Sequence, residues 1–133
     1  MRRLAPCVAA IAICALPAAA PAHTASFKTN VKIKDFVIPE AKRGDIGGSF
    51  FGRVKSKLGK CVKNRKVKVF RKQPGDDILE GKATSDGKGR WAVPVKLAGS
   101  GTYYAMAKRR VLGSGAHTHV CKGARSLNFV FKL

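Results

Sequence analysis

Lysine alternates with branched apolar residues through much of this chain, and that alternation limits what it can fold into more than any other feature. In "NVKIKDF", Val31 and Ile33 take one side and Lys32 and Lys34 the other; in "RKVKVFRK", Val67 and Val69 oppose Lys66 and Lys68. Trp91, Val93, Val95 and Leu97 share a side of "RWAVPVKL", as do Leu127, Phe129, Phe131 and Leu133 in "SLNFVFKL". A period of two belongs to half-buried antiparallel strands, whose successive side chains point to opposite faces. No stretch carries a convincing helical period.

Turn residues separate these runs at Gly44-Asp45, Gly59-Lys60, Pro74-Gly75-Asp76, Asp86-Gly87-Lys88-Gly89 and Gly99-Ser100-Gly101. Pro94 has no N–H to give a ladder, so its strand is expected at a sheet edge. Strands are expected near 30–38, 46–56, 65–72, 77–85, 90–97, 102–112 and 125–132. About seven short strands in some hundred residues predict one all-β domain, an antiparallel two-sheet sandwich or a small barrel.

The first 22 residues have a different character. Met1, Arg2 and Arg3 give a positive start, Leu4 to Leu16 is apolar apart from Pro6 and two cysteines, and small residues follow in "PAAAPA". That order is the layout of a secretory signal peptide, and the apolar run is shorter than the roughly 20 residues that span a bilayer. Ala20-Pro21-Ala22 supplies the small residues wanted before a cut, so the expected mature chain is 23–133, beginning at His23, secreted and without a transmembrane segment.

Of the 27 Lys and Arg, only Arg2 and Arg3 lie in the leader; the mature chain therefore sets 25 against 7 Asp and Glu, a net charge of +18. Two cysteines remain, Cys61 and Cys121. In an oxidising compartment an isolated pair most simply bonds to itself, and closing so long a loop is worth about 4 kcal/mol in the chain-entropy model. Free or intermolecular thiols are the competing reading.

"FFGRVKSKLGKCVKNRKVKVFR", then "GKATSDGKGRWAV", then "GTYYAMA" resembles carboxypeptidase regulatory-like domains, the transthyretin-like (prealbumin-like) sandwiches that include CnaB-type modules. The matching elements are Gly52-Arg53-Val54, the Val67 and Val69 strand, Thr84 to Trp91 with Asp86 and Gly89, and Gly101-Thr102-Tyr103, within residues 50–107. The resemblance implies a single immunoglobulin-like or transthyretin-like antiparallel β-sandwich, and accessory roles that stiffen, space or bind. CnaB-type modules often hold a Lys–Asn isopeptide bond beside a buried acid. Lys32, Lys34 and Asn128 all lie on outward parity, which argues against that bond, and Glu80 has no evident place beside them.

"GAHTHVCKG" places His117, His119 and Cys121 at alternate positions, on one side of any strand they form. Cys121 is better used in a disulfide, and exposed histidines beside glycines are common without a ligand role. With His23 at a free amino terminus, His117 or His119 would complete a copper site, which is the alternative reading of the chain.

The charge carries the main reading. Arg53, Lys55, Lys57, Lys63, Arg65, Lys66, Lys68, Arg71, Lys72, Lys108, Arg109 and Arg110 fall on neighbouring strands, mostly on outward parity. They predict capture of an anionic cell-wall or extracellular polymer by a monomeric module that needs no cofactor, without specific nucleic-acid recognition. Phe51, Phe70 and Tyr104 are candidate outward stacking surfaces. A solvated face that blunts sheet edges accounts for the same lysines. No GxSxG, HExxH, phosphate-cradling glycine loop or spaced carboxylate pair is present, and Ser114 near His117 lacks an orienting acid, so no catalysis is expected.

Overall fold

The computed structural model describes residues 21–39, 47–96 and 99–133. The leader up to residue 20, the Gly44-Asp45 turn and Leu97 lie outside them. Among the described residues, eleven strands form three sheets: β1 (His23–Phe27), β2 (Thr29–Val37), β3 (Gly48–Ser56), β4 (Lys66–Arg71), β5 (Ile78–Thr84), β6 (Arg90–Val95), β7 (Gly101–Ala107), β8 (Arg110–Ser114), β9 (His117–Cys121), β10 (Ala124–Arg125) and β11 (Phe129–Phe131). Among the described residues the only helical segment is one 3-10 turn at Gly59–Cys61, and no helix is long and apolar enough to cross a membrane.

Two of the sheets make the sandwich. One runs β2-β3-β6; the other runs β10-β7-β4-β5, with β11 also on β7. Val31, Phe50, Val54, Trp91, Val93 and Val95 from the first meet Val67, Val69, Tyr103, Ala105 and Ala107 from the second. Val31, Val67, Val69, Trp91, Val93 and Val95 are inward positions that the period-two pattern marks, and β6, carrying Pro94, is an edge strand as expected. Gly52 is required where it stands, because a Cβ there would run into the Trp91 ring and the Lys32 carbonyl. Gly89 turns the chain at φ +76°, a left-handed conformation that favours glycine.

The third sheet, β1-β9-β8, is absent from the expected pattern. Where one strand was expected over 102–112, the chain leaves β7 at Ala107 and enters β8 in a different sheet at Arg110. The expected strand over 125–132 is two short pieces, and Leu127 and Leu133 are exposed rather than inward. The strands are not all antiparallel either: β1 runs parallel to β9, with His23 opposite His117 and Phe27 opposite Cys121. Cys61 and Cys121 are joined in a disulfide, Cα to Cα 5.3 Å, which ties β9 to the 3-10 turn between β3 and β4.

A concave basic site beside a buried arginine

Strand parity and packing sort the expected basic residues into three groups. Lys66 and Lys68 stand on the outer face of β4, with Lys82 opposite Lys68 on β5; Lys108 and Arg109 follow β7, and all are exposed. Arg53 and Lys55 stand on the outer face of β3 with Lys32 and Arg90 beside them, on the opposite side of the sandwich. Lys57, Lys63 and Lys72 are exposed between these strands. The exposed members of the expected set therefore divide between the two outer faces of the sandwich and the segments between strands.

Two arginines leave the list. Arg65 is fully buried, where it was expected outside. Its Nη1 donates to Thr29 Oγ1 (2.9 Å) and the Cys61 carbonyl (2.8 Å), and its Nη2 to the carbonyls of Lys108 (2.7 Å) and Lys122 (3.0 Å). Ser85 Oγ accepts from the Arg65 backbone N–H at 2.9 Å. Burial, with the nearby charge of Arg110, holds the guanidinium below its usual pKa. It stays a cation, because a guanidinium is not deprotonated in proteins. Arg71 is half-buried and paired through Nε with Glu80 at 2.9 Å, so Arg71 is not a free outward cation and Glu80 is engaged away from Lys32, Lys34 and Asn128. Lys32, Lys34 and Asn128 are exposed, in keeping with their parity.

Four of the remaining basic residues converge. Lys66, Lys108, Arg109 and Arg110, with Asn64 and Val111, line a concavity of about 430 Å³ at the junction of β4 with the β7–β8 connection. No carboxylate is among its walls. The Lys108 N–H donates to the Lys66 carbonyl at 2.9 Å, which fixes the two lysines' backbones side by side. Arg110 Nη1 donates to the carbonyls of Lys63 (3.1 Å) and Asn64 (3.3 Å), and so braces the turn in which Asn64 takes φ 54°. Asn tolerates that left-handed conformation better than most residues. Asn64 and Val111 are not among the expected site residues; an asparagine just ahead of the Val67 strand is a turn-favouring residue that could have marked the first, and nothing local marks the second.

The stacking candidates fare unevenly. Phe51 is 40% exposed. Phe70 stacks on Tyr104, ring centroids 5.4 Å apart, and the Arg125 guanidinium lies 3.8 Å over the other Tyr104 face. Tyr104 is thus sandwiched and buried, not an open platform. Its hydroxyl donates to Asp77 Oδ2 at 2.6 Å, which raises the phenol pKa and lowers that of the Asp77 carboxyl, where the Gln73 N–H also donates.

The histidines lie on the third sheet. The Nδ1 atoms of His23 and His117 are 3.1 Å apart, both side chains being exposed. His119 turns its ring edge to Phe27, centroids 5.5 Å apart, and does not join them. Among the described residues no three His, Cys, Asp or Glu side chains converge as a metal cluster. No protein-family model matches the chain, and no curated protein is similar to it.

Proposed function

We propose that the domain is a secreted, monomeric, non-catalytic module of transthyretin-like type that captures an anionic extracellular or cell-wall polymer by electrostatic contact. The concavity walled by Lys66, Lys108, Arg109 and Arg110 with no carboxylate is the observation that supports it. A solvated face meant only to keep a protein soluble has no need to gather four cations into one recess, where each raises the cost of holding the next. Buried Arg65 adds a further positive charge behind the Lys108 carbonyl, partly shielded by the oxygens around it.

Such a recess recognises charge density and reads no sequence, so binding is non-specific and depends on salt. The disulfide suits an oxidising compartment. The test is titration with a heparin-type sulfated polysaccharide over a range of ionic strengths. The expected result is an affinity that falls log-linearly with salt; no binding at low salt, where screening is weak, overturns the proposal.

A further inference from the structure

Electrostatic capture leaves the histidine pair unexplained. The parallel register of β1 on β9 brings His23 level with His117, and the His23 N–H donates to the Ala116 carbonyl at 2.9 Å. The rings meet edge to face, centroids 4.6 Å apart, with Nδ1 facing Nδ1. Core packing does not require this arrangement, because both rings are exposed, whereas His119 and Phe27 are half-buried against each other. A hydrogen bond between two exposed rings competes with water and contributes little.

We propose that His23 and His117 form a copper(II) site, with the α-amine of His23 as its third nitrogen once the chain is processed ahead of that residue. Imidazole binds a divalent ion at roughly 2.0–2.1 Å, and two such bonds to atoms 3.1 Å apart subtend about 100°, within the range of adjacent ligands. Nδ1 is also the ring atom that closes a small unstrained chelate with the α-amine of its own residue. The amine gives its lone pair to the metal and keeps N–H bonds, so the contact to the Ala116 carbonyl survives.

The donor chemistry favours copper. All three ligands are neutral nitrogens, and Cys121, the nearest soft donor along β9, is closed in the disulfide. Among divalent first-row ions such a set holds copper most tightly, in tetragonal geometry. Binding requires the amine and both ring nitrogens to be free of protons, so it releases protons and strengthens as pH rises. The positive net charge opposes a cation, so added salt of a non-coordinating anion strengthens copper binding while it weakens polymer binding.

The experiment is a copper(II) titration of the disulfide-bonded chain beginning at His23, followed by calorimetry and electron paramagnetic resonance. The same measurements are made on His117→Ala, on His119→Ala and on a chain with Ala-Pro placed before His23, whose proline has no amide N–H and so denies copper the chelate that a free X-X-His terminus would otherwise form. One equivalent of copper in a three-nitrogen environment is expected. His117→Ala and the extended chain should each lose roughly 10-fold or more in affinity and one nitrogen from the spectrum, and His119→Ala should change neither. Wild-type affinity and spectrum in His117→Ala would mean that the amino terminus chelates alone, and would overturn the site. So would an unchanged spectrum in the extended chain, or the absence of stoichiometric copper. Both side chains are exposed, and thermal melting of each variant checks that the fold is retained.

Discussion

The sandwich and the third sheet hold together by different means. In the sandwich, Phe50, Val54, Val67, Val69 and Val93 have no exposed surface, and two sheets press them from both sides. In β1-β9-β8 only Val120 and Cys121 are buried. That sheet is held instead by the Cys61–Cys121 bond, by Arg65 bridging the carbonyls of Lys108 and Lys122, and by the Lys122 N–H donating to the Phe27 carbonyl. Apolar burial therefore specifies the body, while covalent and polar links fasten the element that carries the histidines and one wall of the basic recess.

Mutations should separate the two. Phe50→Ala leaves a cavity in the core, where Phe50 is fully buried, and should cost roughly 3–5 kcal/mol, measured by urea denaturation with all strands melting together. Replacing both Cys61 and Cys121 by Ala should cost about 4 kcal/mol in the chain-entropy model. Hydrogen exchange should then locate the loss of protection first in β8 and β9. A uniform loss across the sandwich would show that the third sheet is not a separate unit.

Arg65→Met tests the polar fastening. It leaves the carbonyls of Cys61, Lys108 and Lys122 without their shared donor and should cost roughly 2–3 kcal/mol, with β8–β9 exchange again accelerated. Arg65→Lys should recover only part of this, since an ammonium cannot reproduce a planar fork bonded on two sides.

Much of the body is legible along the chain because burial alternates with the strand period. Arg65 overturns the expectation of an outward side chain although its parity points inward: it shares parity with Val67 and Val69, as does Arg71, while Lys66, Lys68 and Lys72 take the other parity. Inward basic positions on this strand are arginines, which can bond several acceptors at once, and outward ones are lysines. Phe36 escapes the simple pattern because a register shift between Ile33 and Asp35 reverses parity and turns its ring into the core. β1 could not be read locally, since its partner lies about ninety residues away and parallel pairing leaves no turn signature. The break after Ala107 carries no glycine or proline, so nothing near it announces that the chain changes sheets.

The smallest expected effect is titration of the sandwich side. Hydrogen bonds from Tyr104 and Gln73 lower the Asp77 pKa in the fold, so their stabilisation is present above the unfolded value of about 3.9 and is lost as pH falls through the folded one. The raised Tyr104 pKa acts at the other end: its contribution is complete below the unfolded value of about 10 and is lost as pH rises through the folded one. Asp77→Asn should flatten the acid limb of a stability-versus-pH curve; an unchanged limb would assign it to other groups such as Asp86, whose pKa Arg90 lowers.

Capture by the recess is separable from attraction by the domain's total charge. Two variants with the same charge removed put this to the test: Lys66→Gln/Lys108→Gln/Arg109→Gln in the recess, and Lys32→Gln/Lys55→Gln/Arg90→Gln on the opposite face. Heparin affinity against salt is measured for both. The recess variant should lose roughly one unit of log–log salt slope for each contact removed, and the opposite-face variant far less. Equal losses in the two would contradict it and leave only the field of the whole domain.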